Sequence, residues 1–260
     1  MKVIVVRAKP LFCSVFAAVL LFGFLGALRA PLVRAVFASP AGRSLPIYSV
    51  QTDQPLAALG INCAWDDQDI PSMLQTLAEA QVHATFFLLG EWAERFPDSA
   101  KAIAAAGHEI GSHSYSHRDM DSLTQQEMLE EIRLSQQAIY NTCGQTPVLF
   151  RPPSGSYNDA VIESIHASGC VPIQWNLDTL DWRGLSAEQI AHRVSSQLQP
   201  GSILLLHAGA EHSAQALPLI LEAAKAADLQ FVPVGSLLIP NSTHVDHNGC
   251  QLPAQPKNNK

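Results

Sequence analysis

The chain has 260 residues, with 16 Lys+Arg against 23 Asp+Glu and a formal net charge of −7. That length suits one large domain, and α/β barrels routinely use it as a single unit. The acidic balance argues against a phosphate-backbone ligand, so nucleic acid is not the expected partner and neutral or mildly polar molecules remain open.

In chain order, Lys2, Arg7 and Lys9 precede an apolar run from Leu11 to Leu28, which Arg29 and Arg34 follow. Residues 1–38 therefore read as a membrane anchor or a signal peptide. The run approaches the roughly 20 residues of a spanning helix, which favours an anchor, while Val36-Phe37-Ala38 offers a small-residue cleavage site. Both readings export the rest of the chain, either held at the membrane or secreted. Residues 39–53, with Pro40, Gly42, Ser44, Pro46 and Ser49, read as a linker.

From residue 54 to 240 short apolar runs alternate with helical stretches. The predicted strands are Leu56–Asn62, Ala84–Leu89, His108–Ser112, Val148–Phe150, Val171–Leu177, Ser202–Leu206 and Phe231–Val234. Between them lie predicted helices over Pro71–Ala80, Pro97–Ala106, Thr124–Tyr140, Asn158–Ser168, Ala187–Leu198 and Ala214–Ala227. Six strand–helix repeats and a seventh strand indicate a parallel α/β fold, a distorted (β/α) barrel of seven to eight repeats. Residues 241–260, rich in Asn, His, Gln and Pro, read as a disordered tail. The five cysteines show no close spacing and predict neither a zinc motif nor a disulfide framework.

Chemistry in such barrels collects where strands end. The polar residues at those points are Asp66 and Asp67, His113 and His117, Arg151, Asp178 and Asp181, and His207. Two imidazoles four residues apart can reach one divalent cation, and two His with one carboxylate is a common catalytic set, so Asp67 or Asp66 is the candidate third ligand. A bound metal would acidify water and polarise a carbonyl. His207 is the natural general acid, Asp181 can hold an imidazole in one tautomer, Trp182 can wall an apolar slot, and Arg151 can grip a carboxylate. Taken singly, each has an ordinary structural alternative: an exposed loop His, a solvated Asp, a helix cap or a surface ion pair.

The ordered set Ala84-Thr85-Phe86-Phe87, Gly107 through His113 and His117, Arg151-Pro152-Pro153 with Gly155, Asp178 through Trp182, and Leu204 through His207 resembles the polysaccharide deacetylases, the NodB-like domain of carbohydrate esterase family 4. The resemblance implies hydrolysis of N-acetyl groups on a glycan polymer by a monomer with a divalent metal, Zn²⁺ foremost and Co²⁺ or Ni²⁺ as alternatives. It implies His113 and His117 as metal ligands, His207 as acid tethered by Asp181, and Arg151 orienting the base. Trp182 and Leu205 would line the acetyl-methyl pocket. Ser154 would offer its N–H to the oxyanion, in place of the family's usual aromatic residue.

The first motif departs from the family's Thr-Phe-Asp-Asp-Gly. Matching Asp66-Asp67 to the two carboxylates makes Asp66 the base and Asp67 the ligand, but leaves a short loop before the next helix. Matching Gly60-Ile61-Asn62-Cys63 instead puts Asn62 and Cys63 at the two carboxylate positions. That second register resembles a sporulation-type branch of the family through Trp65 to Pro71. It opens the alternative of a catalytically silent glycan-binding protein that lacks the base.

Overall fold

The computed structural model describes residues 44–240, 242 and 244–253. The anchor or signal reading of residues 1–38 lies outside them. Among the described residues no helix is long and apolar enough to cross a membrane.

Strand β2 (Leu56–Cys63) is the centre of the fold. It pairs in parallel with β3 (Thr85–Leu88), with β8 (Ile203–Ala208) and, near its start, with β9 (Gln230–Val232). On one side the sheet continues through β3 to β4 (Glu109–Ser112), β5 (Leu149–Phe150) and β6 (Val171–Pro172). On the other it runs through β8 to β7 (Leu177–Asp178). Every pairing in this sheet is parallel, and helices fill the crossovers: α1 (Ile70–Glu79), α2 (Gly90–Arg95), α3 (Pro97–Ala105), α4 (Gln125–Cys143), α5 (Asp159–Ala167), α6 (Ala187–Ser195), α7 (Ser213–Ala226) and the short α8 (Val234–Leu237). The expected distorted (β/α) barrel is therefore the observed fold, as a curled sheet.

Strand alternation decides which side chains face the helices and which face the lumen. On β2, Ala57, Leu59, Ile61 and Cys63 join the apolar layer that also holds Ile70, Met73 and Leu77 of α1. Ala58 instead packs with Phe87 and Ile203 on the inner side. A buried Leu, Ile or Phe stabilises by about 1.5–3 kcal/mol, so a one-residue slip that swapped the two faces would forfeit the core. Helix starts are set locally: Thr124 and Glu127 form a capping box on α4, Ser186 and Gln189 another on α6, and Asn158 accepts from the Val161 N–H on α5.

Three predicted features are corrected. The single strand read over Val171–Leu177 is two, β6 and β7, on opposite edges of the sheet. Between them Ile173 bridges to Ile47, and the Asn176 N–H donates to the Ile203 carbonyl. Secondly, the segments read as linker and disordered tail are structured where described: β1 (Ser49–Val50) pairs in parallel with β10 (Cys250–Gln251), and Ile47 and Val50 are buried. The Gln251 side chain accepts from the Ile239 N–H and donates to the Ser242 carbonyl, so the tail caps backbone groups that water would otherwise have to serve. Thirdly, α2 and α8 arise where no helix is predicted, being too short for a periodic signal.

At the strand-start end, His108 is buried and its Nδ1 accepts from the Ala84 N–H at 3.2 Å. Burial, then the neighbouring His83, pushes it down to about 4. The unfolded imidazole takes up a proton near pH 6.5, which the folded one refuses. This contribution is complete above pH 6.5 and is lost as pH falls toward 4. His108→Asn keeps an acceptor for Ala84 without a titrating ring, so wild-type melting temperature should fall by several degrees more than the variant's between pH 7 and 4.5. Parallel melting curves would remove the assignment.

Candidate active site

The end of β2 carries Asn62 and Cys63, and the loop beyond it carries Asp66 and Asp67. Asn62 lies in register with Phe87 on β3 and His207 on β8, and Cys63 with Leu88 and Ala208. Asn62 and Cys63 thus occupy the last strand positions. Asn62 turns to the site side, where its Nδ2 lies 3.2 Å from His113 Nε2 and its Oδ1 accepts from Arg151 at 2.9 Å. Cys63 turns the other way into the helix-facing core, fully buried, and burial pushes its thiol up, away from the thiolate that binds metals.

Asp66 and Asp67 belong to the loop beyond the strand. Asp67 accepts from the Ser99 hydroxyl of α3 at 2.6 Å. Asp66 accepts from the Gln68 N–H through its side chain and from Trp92 Nε1 through its carbonyl. Neither carboxylate is brought to the His pair: among the described residues no three His, Cys, Asp or Glu side chains are grouped as a metal site. The expected third ligand, Asp67 or Asp66, therefore does not join the two histidines in such a group.

The two histidines themselves do meet, with ring centroids 5.1 Å apart. His113 Nδ1 lies 2.7 Å from the Arg151 carbonyl, which can only accept, so the proton sits on Nδ1 and Nε2 presents its lone pair. Burial, then the charge of His117, holds His113 well below its ordinary value. His117 is also lowered, chiefly by burial. The intervening loop takes left-handed backbone at Ser114 (φ 71°) and His117 (φ 62°), uncommon for residues with a Cβ. Glu131 of α4 holds it in that shape, accepting from the Tyr115 N–H, the Ser116 N–H and the Ser116 hydroxyl at 3.0, 2.9 and 2.7 Å.

Arg151 is the largest fully buried side chain and lies in the barrel lumen. Its guanidinium stacks 4.0 Å from the Phe87 centroid and donates to Asn62 Oδ1 and the Gln174 carbonyl, while its Nε has no partner among the described residues. Among the described residues no carboxylate hydrogen-bonds to it, and the Asp178 charge reaches it only at longer range. A Cβ on Gly60 would lie 2.5 Å from one guanidinium nitrogen, so glycine at that position makes the room. Burial pushes Arg151 down to about 9, which leaves it charged at neutral pH.

The opposite side of the site is fully assembled. His207 Nδ1 donates to Asp181 at 2.8 Å, and the second Asp181 oxygen accepts from the His207 N–H at 2.7 Å and the Ser213 hydroxyl at 2.6 Å. Burial alone would raise Asp181, but its hydrogen bonds and the His207 charge outweigh that and hold it below the ordinary carboxylate range. His207 is near enough to His113 and His117 for its charge to lower both. Leu205 is buried two residues earlier on the same strand face, and Trp182 is half exposed beside Asp181. Ser154 sits in a tight turn with left-handed backbone, φ 56°.

The sequence reading missed Glu131, Ser213 and Gln174. Glu131 left a signal, because a carboxylate one turn from Met128 and beside Ile132 interrupts the apolar face of α4. Ser213 and Gln174 carry no pattern of their own. As for a metal, the His113 lone pair and the nearby His117 suit a cation, whereas the Asn62 amide and the inward Cys63 do not complete a two-His, one-carboxylate set.

A family profile described as polysaccharide deacetylase matches residues 49–173. The uncharacterized protein YlxY of Bacillus subtilis is 40% identical over 162 residues, covering 62% of this chain, which spans about half (51%) of that protein's length. A peptidoglycan-N-acetylglucosamine deacetylase of Bacillus cereus is 32% identical over 196 residues, 74% of this chain and 92% of that protein. Among solved structures, a CE4 family pseudoenzyme from Bacillus anthracis superposes with TM-score 0.72 at 31% identity, covering 77% of this chain and 70% of that one. A mutant of the pseudoenzyme, with the same TM-score, is described as having restored enzymatic activity.

The buried Arg151 charge generates a stability prediction. Asn62→Asp supplies a directly contacting counterion at an atom the guanidinium already touches, where Asp178 acts only through its charge, and hydrogen bonds to charged groups contribute about 1.5–3 kcal/mol. The new carboxylate's folded pKa would be depressed, so the gain is present above the unfolded value near 3.9 and disappears as pH falls below it. Melting curves at pH 7 and pH 3 should show the variant more stable only at the higher pH. An unchanged or lower midpoint at pH 7 would refute the account.

Proposed function

Because the chain belongs to the polysaccharide deacetylase family, we propose that it removes N-acetyl groups from a cell-wall type glycan, peptidoglycan or another N-acetylhexosamine polymer. The observation that carries this reading is the assembled acid side, His207 held by Asp181, which Ser213 holds in turn, within electrostatic reach of the two site histidines. The protein would act as a monomer outside the cytoplasm, held by its N-terminal segment or secreted. The names of peptidoglycan-directed relatives support that location.

In this reading each side chain has a definite task. His207 keeps Nδ1 on Asp181, which directs Nε2 toward a leaving nitrogen, and Asp181 stabilises the imidazolium that holds the proton to be delivered. Leu205 and Trp182 supply apolar surface for an acetyl methyl, and the Ser154 N–H is the oxyanion donor. Arg151 holds the Asn62 amide in place. A divalent ion, Zn²⁺ with Co²⁺ or Ni²⁺ as alternatives, would rest on His113 and His117 and, when bound, polarise the carbonyl and acidify water.

A second reading is favoured by one observation: Asn62, not a carboxylate, is what Arg151 and His113 hold. A carboxamide takes no proton at ordinary pH, and a general base contributes about 10²–10⁴ in rate. This reading makes the protein a glycan-binding member of the family whose chemistry is silent, as the pseudoenzyme neighbour is described to be.

Acetate release from N-acetylglucosamine oligomers and peptidoglycan, with excess Zn²⁺, Co²⁺ or Ni²⁺, separates the two. The first reading expects turnover about 10²–10⁴ below that of a base-containing relative, raised by Asn62→Asp and removed by His207→Ala. Oligomer binding with no acetate from the wild-type chain, and no metal by elemental analysis, would leave only the second.

A further inference from the structure

Trp65 is 45% exposed, yet its indole lies against the His207 imidazole with ring centroids 5.1 Å apart and planes 31° apart. Only one face of a large apolar ring is used by that contact. Trp182, 54% exposed, follows Asp181 directly, and its N–H donates to the Asp181 oxygen that also receives His207 Nδ1. Two of the five exposed large apolar side chains among the described residues thus flank the same His–Asp pair.

The Trp65 position is fixed by its loop. The next residue, Asp66, has its carbonyl held by Trp92 Nε1 and its carboxylate by the Gln68 N–H. Asp69 accepts from the Gly209 N–H at 3.2 Å, and a Cβ on Gly209 would lie 3.2–3.3 Å from Asp66 atoms. The loop after β2 therefore rests on the loop after β8, and the indole is presented with little freedom left to lose on binding.

We propose that Trp65 is a sugar-stacking residue: its free face receives the apolar face of a pyranose ring of an N-acetylhexosamine oligosaccharide, placing the adjoining N-acetyl group beside His207. This rests on the glycan reading above and assigns the residue that orients the sugar. An aromatic face bordered by fixed polar groups matches a pyranose, which has one C–H-rich face and a hydroxyl rim.

The test is a titration of the full chain with penta-N-acetylchitopentaose, followed by calorimetry and tryptophan emission, on wild type and on Trp65→Ala, Trp65→Phe, Trp182→Ala and, as a distant exposed control, Tyr140→Ala. Trp65→Ala should weaken binding about tenfold or more. Trp65→Phe should restore most of the affinity while abolishing the part of the emission change that comes from Trp65, a signature that general loosening of the fold would not produce. Near-unchanged affinity in Trp65→Ala with weakened Trp182→Ala overturns the stacking role and leaves the glycan reading standing. An emission change equal in Trp65→Phe and wild type also overturns it, even if the alanine variant unfolds. No binding by the wild-type chain would overturn both.

Discussion

The site is organised around a buried cation. Arg151 fills the lumen beneath β2 and β3, and its neighbours have had to conform to it: Gly60 leaves space, Phe87 offers its ring, and the Asn62 side chain and Gln174 carbonyl accept its hydrogen bonds. A charge removed from water is costly unless paired or hydrogen-bonded. Here only neutral acceptors touch it, so its orientation rests on hydrogen bonds and ring contacts. Through its carbonyl, the same residue also sets the His113 tautomer. One side chain and one backbone oxygen thus determine how Asn62 and His113 are presented to each other.

The two sides of the cleft differ in completeness. Beside His207, Asp181 accepts from a ring N–H, two backbone N–H groups and a hydroxyl, and it lies on the turn that follows β7. Around His113 the protonation state and the ring position suit a cation, yet the side chain it meets at the end of β2 is the Asn62 amide, and Cys63 turns into the core. The nearby acids are committed elsewhere, Asp67 to Ser99 and Asp69 to the Gly209 N–H.

The loop from Ala64 to Asp69 links these halves. It leaves β2 after Cys63, is stitched to the end of β8, and carries the half-exposed Trp65 onto the His207 imidazole. In the sequence this stretch looked like a source of replacement carboxylates. In the fold its acidic residues serve the loop's own shape, and its aromatic residue is what faces the site.

Much of the architecture was legible in the residues. Alternating apolar runs and helical stretches located six strands and most helices, because burying one strand face and one helix stripe imposes those periods locally. The ends of the runs marked His113, His117, Arg151, Asp181 and His207, since barrel topology gathers strand ends at one face. What the tertiary structure alone decided was partnership: that Val171–Leu177 divides between two sheet edges, that β10 returns to pair with β1, that Glu131 and Ser213 anchor the loop and the Asp, and that Asp67 turns to Ser99. Hydrogen bonds between residues dozens of positions apart depend on distances that only the closed sheet creates, and no local period records them.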